Sequence, residues 1–139
     1  MSGRTSVAVA ALVRDGLVLM VHRSPSRAAY PDCWDLVGGH VEADESPRRA
    51  VERECLEELG VHVHDPQPVP MRIGDPTLDL QAFVVTQWDG EPVNAAPEEH
   101  DDLRWYRPRE LANLALAHPV ARASIIRAVR LATRPGPRS

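Results

Sequence analysis

Glu54, Glu57 and Glu58 fall within a segment that has every mark of a helix, Ser46-Pro47-Arg48-Arg49-Ala50-Val51-Glu52-Arg53-Glu54-Cys55-Leu56-Glu57-Glu58-Leu59-Gly60. Ser46 suits the N-cap, Pro47 the first helical position and Gly60 the residue just past the end. Val51, Cys55 and Leu59 recur at i, i+4 and i+8 and, with Leu56, define the core side; Cys55 takes an aliphatic position as a small hydrophobe. The three glutamates sit at i, i+3 and i+4, within about 100° of one another on a different side. As a merely solvated face this is a poor design. Glu54 and Glu58 repel at i,i+4 by roughly a few tenths of a kcal/mol, and Arg53 stands N-terminal to Glu57, the weaker orientation for an ion pair. Clustered oxygen donors with no nearby cysteine pair instead suit a hard divalent cation, Mg²⁺ or Mn²⁺, and not zinc.

The rest of the chain limits what such a site serves. At 139 residues it is the size of one domain with a single core, assigned here to residues 1–133, with 134–139 expected as a disordered tail. A formal charge of −4 gives no overall basic field of the kind that recruits duplex nucleic acid or a membrane surface. Cys33 and Cys55 are too far apart for a CxxC motif and too few for a secreted disulfide scaffold, which points to a reducing, cytoplasmic compartment. No run of about 18 apolar residues offers a membrane span. The apolar stretch after Arg4 is broken by Arg14-Asp15-Gly16 and reads as strands and not as a leader peptide.

Along the chain, Val7–Val13 and Leu17–His22 form a hairpin about that turn. A loop from Arg23 to Asp32 follows, then a short strand Trp34–Val37 ending in Gly38-Gly39, a pair that lets the backbone approach a ligand closely. After Gly60, Pro66, Pro68 and Pro70 forbid a helix up to Ile73 and predict an irregular or edge strand. Leu78–Trp88 reads as one buried strand, Asp89-Gly90 as a turn and Glu91–Asp102 as a polar loop. Leu103–Tyr106 is a short strand, Pro108–Leu114 a short helix and Val120–Ala132 the closing helix. Trp34, Trp88 and Trp105 read as core, and His40 as a partner in a loop hydrogen bond.

The spacing Gly39-x5-Glu45-x7-Arg53-Glu54-Cys55-x-Glu57-Glu58-x-Gly60-Val61 resembles the Nudix box. Its seven fixed identities, each found at roughly one position in fifteen, would match a given start by chance at about one in 10^8. The resemblance extends over nearly the whole chain and implies an α/β fold, the Nudix α/β/α sandwich with a mixed sheet between helices. It implies a Mg²⁺- or Mn²⁺-dependent hydrolase of diphosphates linked to another moiety. Within that likeness Glu57 and Glu58 are the principal metal ligands, the Gly38 carbonyl is a backbone ligand, and Glu54 is ligand or general base. Arg53 orients Glu54 and Glu57, Glu45 braces the loop, and Gly39 lies against the substrate. Family members place a further carboxylate in the loop after the central strand, where Glu98 and Glu99 are the candidates. Arg23 matches a basic residue at the second strand's end in the MutT-like branch and is a candidate substrate contact.

That likeness implies a small-molecule nucleotide or diphosphate substrate, hydrolysed as a nucleoside triphosphate to a monophosphate and pyrophosphate, and leaves a homodimer open. The rival is an ADP-ribose or other nucleoside diphosphate-conjugate pyrophosphatase, for which Pro76 is the one matching residue. An isopentenyl diphosphate isomerase also resembles the segment HRSPSRAAYPDCWDLVGGH, but its chemistry needs a cysteine where Gly38 stands, and Cys33 lies five residues upstream. A non-catalytic ligand sensor on this scaffold typically loses box carboxylates, and here all are present.

Overall fold

The architecture follows from how the strands divide their side chains between two faces. A computed structural model describes residues 4–133; the tail 134–139, expected to be disordered, lies outside the described residues. The strands are β1 (Thr5–Arg14), β2 (Leu17–Arg23), β3 (Trp34–Asp35), β4 (Val37–His40), β5 (His62–His64), β6 (Gln67–Val69), β7 (Leu78–Val85), β8 (Gln87–Asp89) and β9 (His100–Tyr106). There are two α-helices among the described residues, α1 (Pro47–Leu59) and α2 (Arg122–Thr133), and 3₁₀ turns at Pro108–Asn113 and Pro119–Ala121 lie between β9 and α2. Ala8, Ala10 and Leu12 of β1, with Leu19 and Val21 of β2, pack under Ala50, Val51, Cys55 and Leu59 of α1. The alternate residues Ala11, Val13, Val18 and Met20 pack with Ile125 and Val129 of α2. Period-two alternation thus gives one sheet two cores, and the result is the expected α/β/α sandwich with a mixed sheet.

β1 is the spine. Along one edge it runs parallel to β7 from Thr5 to Leu12. Along the other edge its partner changes: Val7–Ala10 pair with β4, whereas Val13 and Arg14 pair with β2. β2 in turn carries β3 and β9. The sheet therefore forks between β4 and β2, and a cavity opens in the fork.

Several expectations change in detail. The predicted strand Leu78–Trp88 is two strands, β7 and β8, because the chain leaves the main sheet at Thr86 and β8 pairs with β5 in a separate two-stranded ribbon. The segment predicted as loop to Asp102 is strand from His100 onward, and the helix predicted over Pro108–Leu114 is a 3₁₀ turn. Leu56, predicted on the core side, is 44% exposed. Its neighbour Cys55 occupies the inward position and is fully buried. The tryptophans are partly buried: Trp88 stacks on Trp105 at 6.1 Å, with the Arg14 guanidinium 4.4 Å from the Trp105 ring.

Gly38 sits where β4 crosses β1, and a Cβ there would strike the Ala8 carbonyl oxygen and come within 2.8 Å of Val9 Cα. Those are backbone atoms and cannot swing away. Gly38→Ala is expected to destabilise the fold by about 3 kcal/mol, the upper range for overpacking, as measured by chemical denaturation.

Candidate active site

The site is assembled by α1 lying across β4. Ser46 caps α1, its hydroxyl accepting from the Arg49 N–H at 3.1 Å, and Gly60 closes it in the left-handed conformation at φ 71°. One helical turn then separates three glutamates by environment. Glu58 is buried, its side chain 7% exposed. The Glu54 side chain is 13% exposed, and Glu57 faces outward at 57%. Glu54 lies directly over Gly39, where any Cβ would overlap its carboxylate, so this second glycine clears space for the glutamate.

Arg53 ties the helix to the preceding loop. Its Nε and Nη2 donate to the two oxygens of Glu45 at 2.8 and 3.0 Å, a bidentate pair, and Nη2 also donates to the His40 carbonyl at 3.0 Å. Nη1 donates to Glu57 at 3.3 Å and lies 3.6 Å from Glu54. The Arg53 hydrogen bond holds the Glu45 carboxyl down at about 2. His40, predicted to satisfy a loop hydrogen bond, does so through its backbone; its side chain is exposed.

A cavity of about 330 Å³ runs from this cluster into the fork. Glu54, Glu58, Glu99, Gly38 and Gly39 line it, as do Tyr30 with the His118 ring against it and Trp34 bridged to Leu116. Of the two loop glutamates, Glu99 reaches the cavity, whereas Glu98 is exposed and outside the lining. Arg23 lines the wall, but its Nε donates to the Ala29 and Tyr30 carbonyls at 3.2 and 3.0 Å and its Nη2 to Ala29 at 2.8 Å. Its geometry is therefore that of a clamp on the Ser24–Cys33 loop. Arg27 donates to the Glu99 carbonyl at 3.2 Å, fixing that glutamate from behind.

Two residues absent from the sequence reading join the site. Asp35 lines the cavity, its carboxyl pushed up to about 6 chiefly by burial and drawn back in part by Arg23. His100 is 2% exposed and its Nε2 lies 3.2 Å from Glu58 Oε1. A strand assignment extended back from Leu103 would still have turned His100 away from the cluster by simple alternation. A β-bulge intervenes: His22 pairs with Asp102 and Arg23 with His100, so Asp101 is the extra residue and His100 returns to the face of Leu103.

Burial is the first cause of raised carboxyls at both Glu54 and Glu58, each pushed up to about 8; the Glu58 charge acts next on Glu54, and Glu99 next on Glu58. Glu58 Oε2 is buried with no hydrogen-bond partner. An all-carboxylate cluster with an orphaned oxygen fits a hard divalent cation, which would relieve the repulsion and satisfy that atom. Ligand atoms of Glu58, Glu99 and His100 lie within 4.8 Å of one another.

A NUDIX domain model matches residues 4–129. The CTP pyrophosphohydrolase of Escherichia coli strain K12 is 34% identical over 122 residues, spanning 86% of this chain and 84% of that protein. The putative 8-oxo-dGTP diphosphatase 2 of Mycobacterium tuberculosis is 38% identical over 112 residues, 76% and 74% of the two chains. The crystal structure of a MutT NUDIX hydrolase from Burkholderia pseudomallei superposes with a TM-score of 0.72 at 31% identity, over 94% of this chain and 98% of that one. The chain belongs to the Nudix family, and it is a hydrolase of the pyrophosphohydrolase type. No helix among the described residues is long and apolar enough to cross a membrane.

The raised carboxyls carry a stability consequence. Between the ordinary 4.5 and about 8 the native chain holds protons that the unfolded chain has released, so stability falls as pH rises through that window. Thermal melts of chelator-treated protein are expected to show a falling Tm from pH 5 to pH 8, a shallower fall in Glu58→Gln, and recovery of the wild type on adding Mg²⁺.

Proposed function

We propose that the chain hydrolyses nucleoside triphosphates to a nucleoside monophosphate and pyrophosphate with Mg²⁺ or Mn²⁺. The observation that carries this reading is a cavity whose lining combines carboxylates, suited to a metal-bound phosphate chain, with aromatic and aliphatic side chains, suited to a nucleobase. A relative named for CTP, matched over most of both chains, supports the same substrate class.

In this reading Glu58, Glu54, Glu57 and the Gly38 carbonyl hold the cation, with Glu99 beside them. When bound, it neutralises the phosphates and lowers the pKa of a coordinated water. Glu54 takes the proton from the attacking water. Its carboxylate lines the cavity next to Glu58, the placement a general base needs. The water oxygen forms the new bond to the α- or the β-phosphorus, the P–O bond bridging the two breaks, and the electron pair leaves on pyrophosphate in the first case and on the monophosphate in the second. Arg53 keeps Glu45, Glu57 and the His40 carbonyl in register with α1. Arg23 and Arg27 hold the loop that forms the cavity's outer wall.

The other readings find less support. Pro76, the residue favouring an ADP-ribose enzyme, does not line the cavity. Neither cysteine lines it: Cys33 donates its thiol to the Pro31 carbonyl, and Cys55 is buried. An isomerase would have no thiol at hand to move a proton at carbon.

Chromatographic product analysis over a panel of nucleotides and diphosphate conjugates tests the claim. Monophosphate plus pyrophosphate from a triphosphate is the expected result; cleavage of ADP-ribose alone, to AMP and ribose 5-phosphate, would replace the triphosphate reading. Glu54→Gln is expected to lower kcat by about 10²- to 10⁴-fold with KM little changed, as steady-state kinetics would record.

A further inference from the structure

His100 is the least explained group at the site. It is 2% exposed, it touches the most buried glutamate of the cluster, and its Nδ1 has no hydrogen-bond partner. The chain also spends several contacts on placing it. The bulge at Asp101 turns its side chain toward α1, the Asn94 amide donates to its carbonyl at 2.7 Å, and its own N–H donates to the Ala96 carbonyl at 3.1 Å. Asp101, the residue displaced by the bulge, is held by His22 at 2.7 Å.

We infer that His100 is a positioning residue: its Nε2–H donates to Glu58 Oε1, fixing that carboxylate so that the free Oε2 is presented to the divalent cation. This rests on the metal-dependent reading above. A glutamate that binds a cation through one oxygen is ionised and can only accept at the other, so the nitrogen facing it must carry the hydrogen. A hydrogen on Nδ1 would be buried with no acceptor, so the ring gives its N–H from Nε2, the nitrogen that faces Glu58. With that hydrogen on Nε2, the partnerless Nδ1 is a bare lone pair. Direct ligation through Nε2 would instead leave an N–H buried without a partner, against the general habit of ligating histidines, whose second nitrogen almost always donates to a neighbour. The 3.2 Å separation by itself fits either arrangement; the orphaned Nδ1 decides for the donor.

The test is Mn²⁺ binding to the metal-free full chain, followed by electron paramagnetic resonance, for the wild type, His100→Gln and His100→Leu. The glutamine amide retains a donor, and leucine fills the space without one. Leucine is expected to weaken Mn²⁺ binding by about 10- to 100-fold, with glutamine restoring most of it. Pulsed spectra of the wild-type Mn²⁺ complex should lack the ¹⁴N coupling of a directly bound imidazole. Circular dichroism confirms that each variant is folded, and if leucine does not fold the glutamine variant and the ¹⁴N measurement decide. Unchanged Mn²⁺ affinity in folded His100→Leu, loss in glutamine equal to that in leucine, or ¹⁴N coupling in the wild type would each overturn the inference while leaving the metal-dependent reading intact. A wild type that binds no Mn²⁺ would overturn both.

Discussion

Two carboxylates, Glu54 and Glu58, are packed against a sheet in a position where neither is comfortable as an anion, and much of the local structure answers that discomfort. Burial raises both carboxyls far above the usual range, helped by the Glu58 charge at Glu54 and by the Glu99 charge at Glu58. A chain selected for stability alone would place apolar side chains there, since unpaired buried charge is among the more expensive things a fold can hold. Here the neighbouring residues accommodate the charge instead of removing it. Gly39 gives up its side chain to make room for Glu54. Arg53 offers its guanidinium from the solvent side, and His100 offers a donor from the buried side. Glu58 Oε2 has no hydrogen-bond partner among the described residues, and a carboxylate oxygen orphaned in this way is a structural argument for a cation.

The fork in the sheet and the bulge in β9 solve a connected geometrical problem. A continuous sheet would leave α1 resting on a flat apolar surface with no room for a ligand. Because β1 exchanges β4 for β2 partway along one edge, the two halves diverge, and the gap exposes both faces of the sandwich to one cavity. Residues from the α1 side supply carboxylates, and residues near α2 supply Leu116, His118 and Ile125. The bulge then adjusts a single strand so that one more side chain reaches the carboxylates, without altering the pairing of Leu103 and Trp105 beyond it.

What could be read from the sequence, and what could not, divides along the range of the interactions involved. The α1 boundaries were readable because Ser46, Pro47 and Gly60 act within one turn of themselves. The hairpin around Asp15-Gly16 was readable for the same reason. Glu54, Glu58 and Glu99 were nominated by spacing and likeness, and the cavity lining includes all three. The failures are non-local. The strand read over Leu78–Trp88 breaks at Thr86 because β5, some twenty residues earlier, captures the next three residues. The burial of Glu58 does not show on a helical wheel, because it depends on contacts from outside α1, among them His100 of β9. Arg23 lines the cavity, and its further hold on two carbonyls of the following loop has no local signal. Leu56 has the hydrophobicity of a core residue but projects beyond the edge of the sheet that α1 covers.

Those arginine contacts bear on how an anionic substrate enters an acidic site. Arg23 and Arg27 are the cations that line the cavity, and each already donates to backbone carbonyls, with Arg23 also 3.8 Å from Asp35. Their positive charge offsets Asp35 but leaves Glu54 and Glu58 without a comparable partner among the residues lining the cavity. At the separations within the cluster, like charges in a partly dry site repel by several kcal/mol, so a bare triphosphate faces an unfavourable field at the end where it must react. The same field attracts a divalent cation and strengthens as water is excluded. For the proposed substrate, then, selectivity for the metal complex over the free nucleotide is a property of the carboxylate cluster itself. In that reading the aromatic and aliphatic part of the lining, Trp34 and Leu116 among it, is left to discriminate among bases by shape.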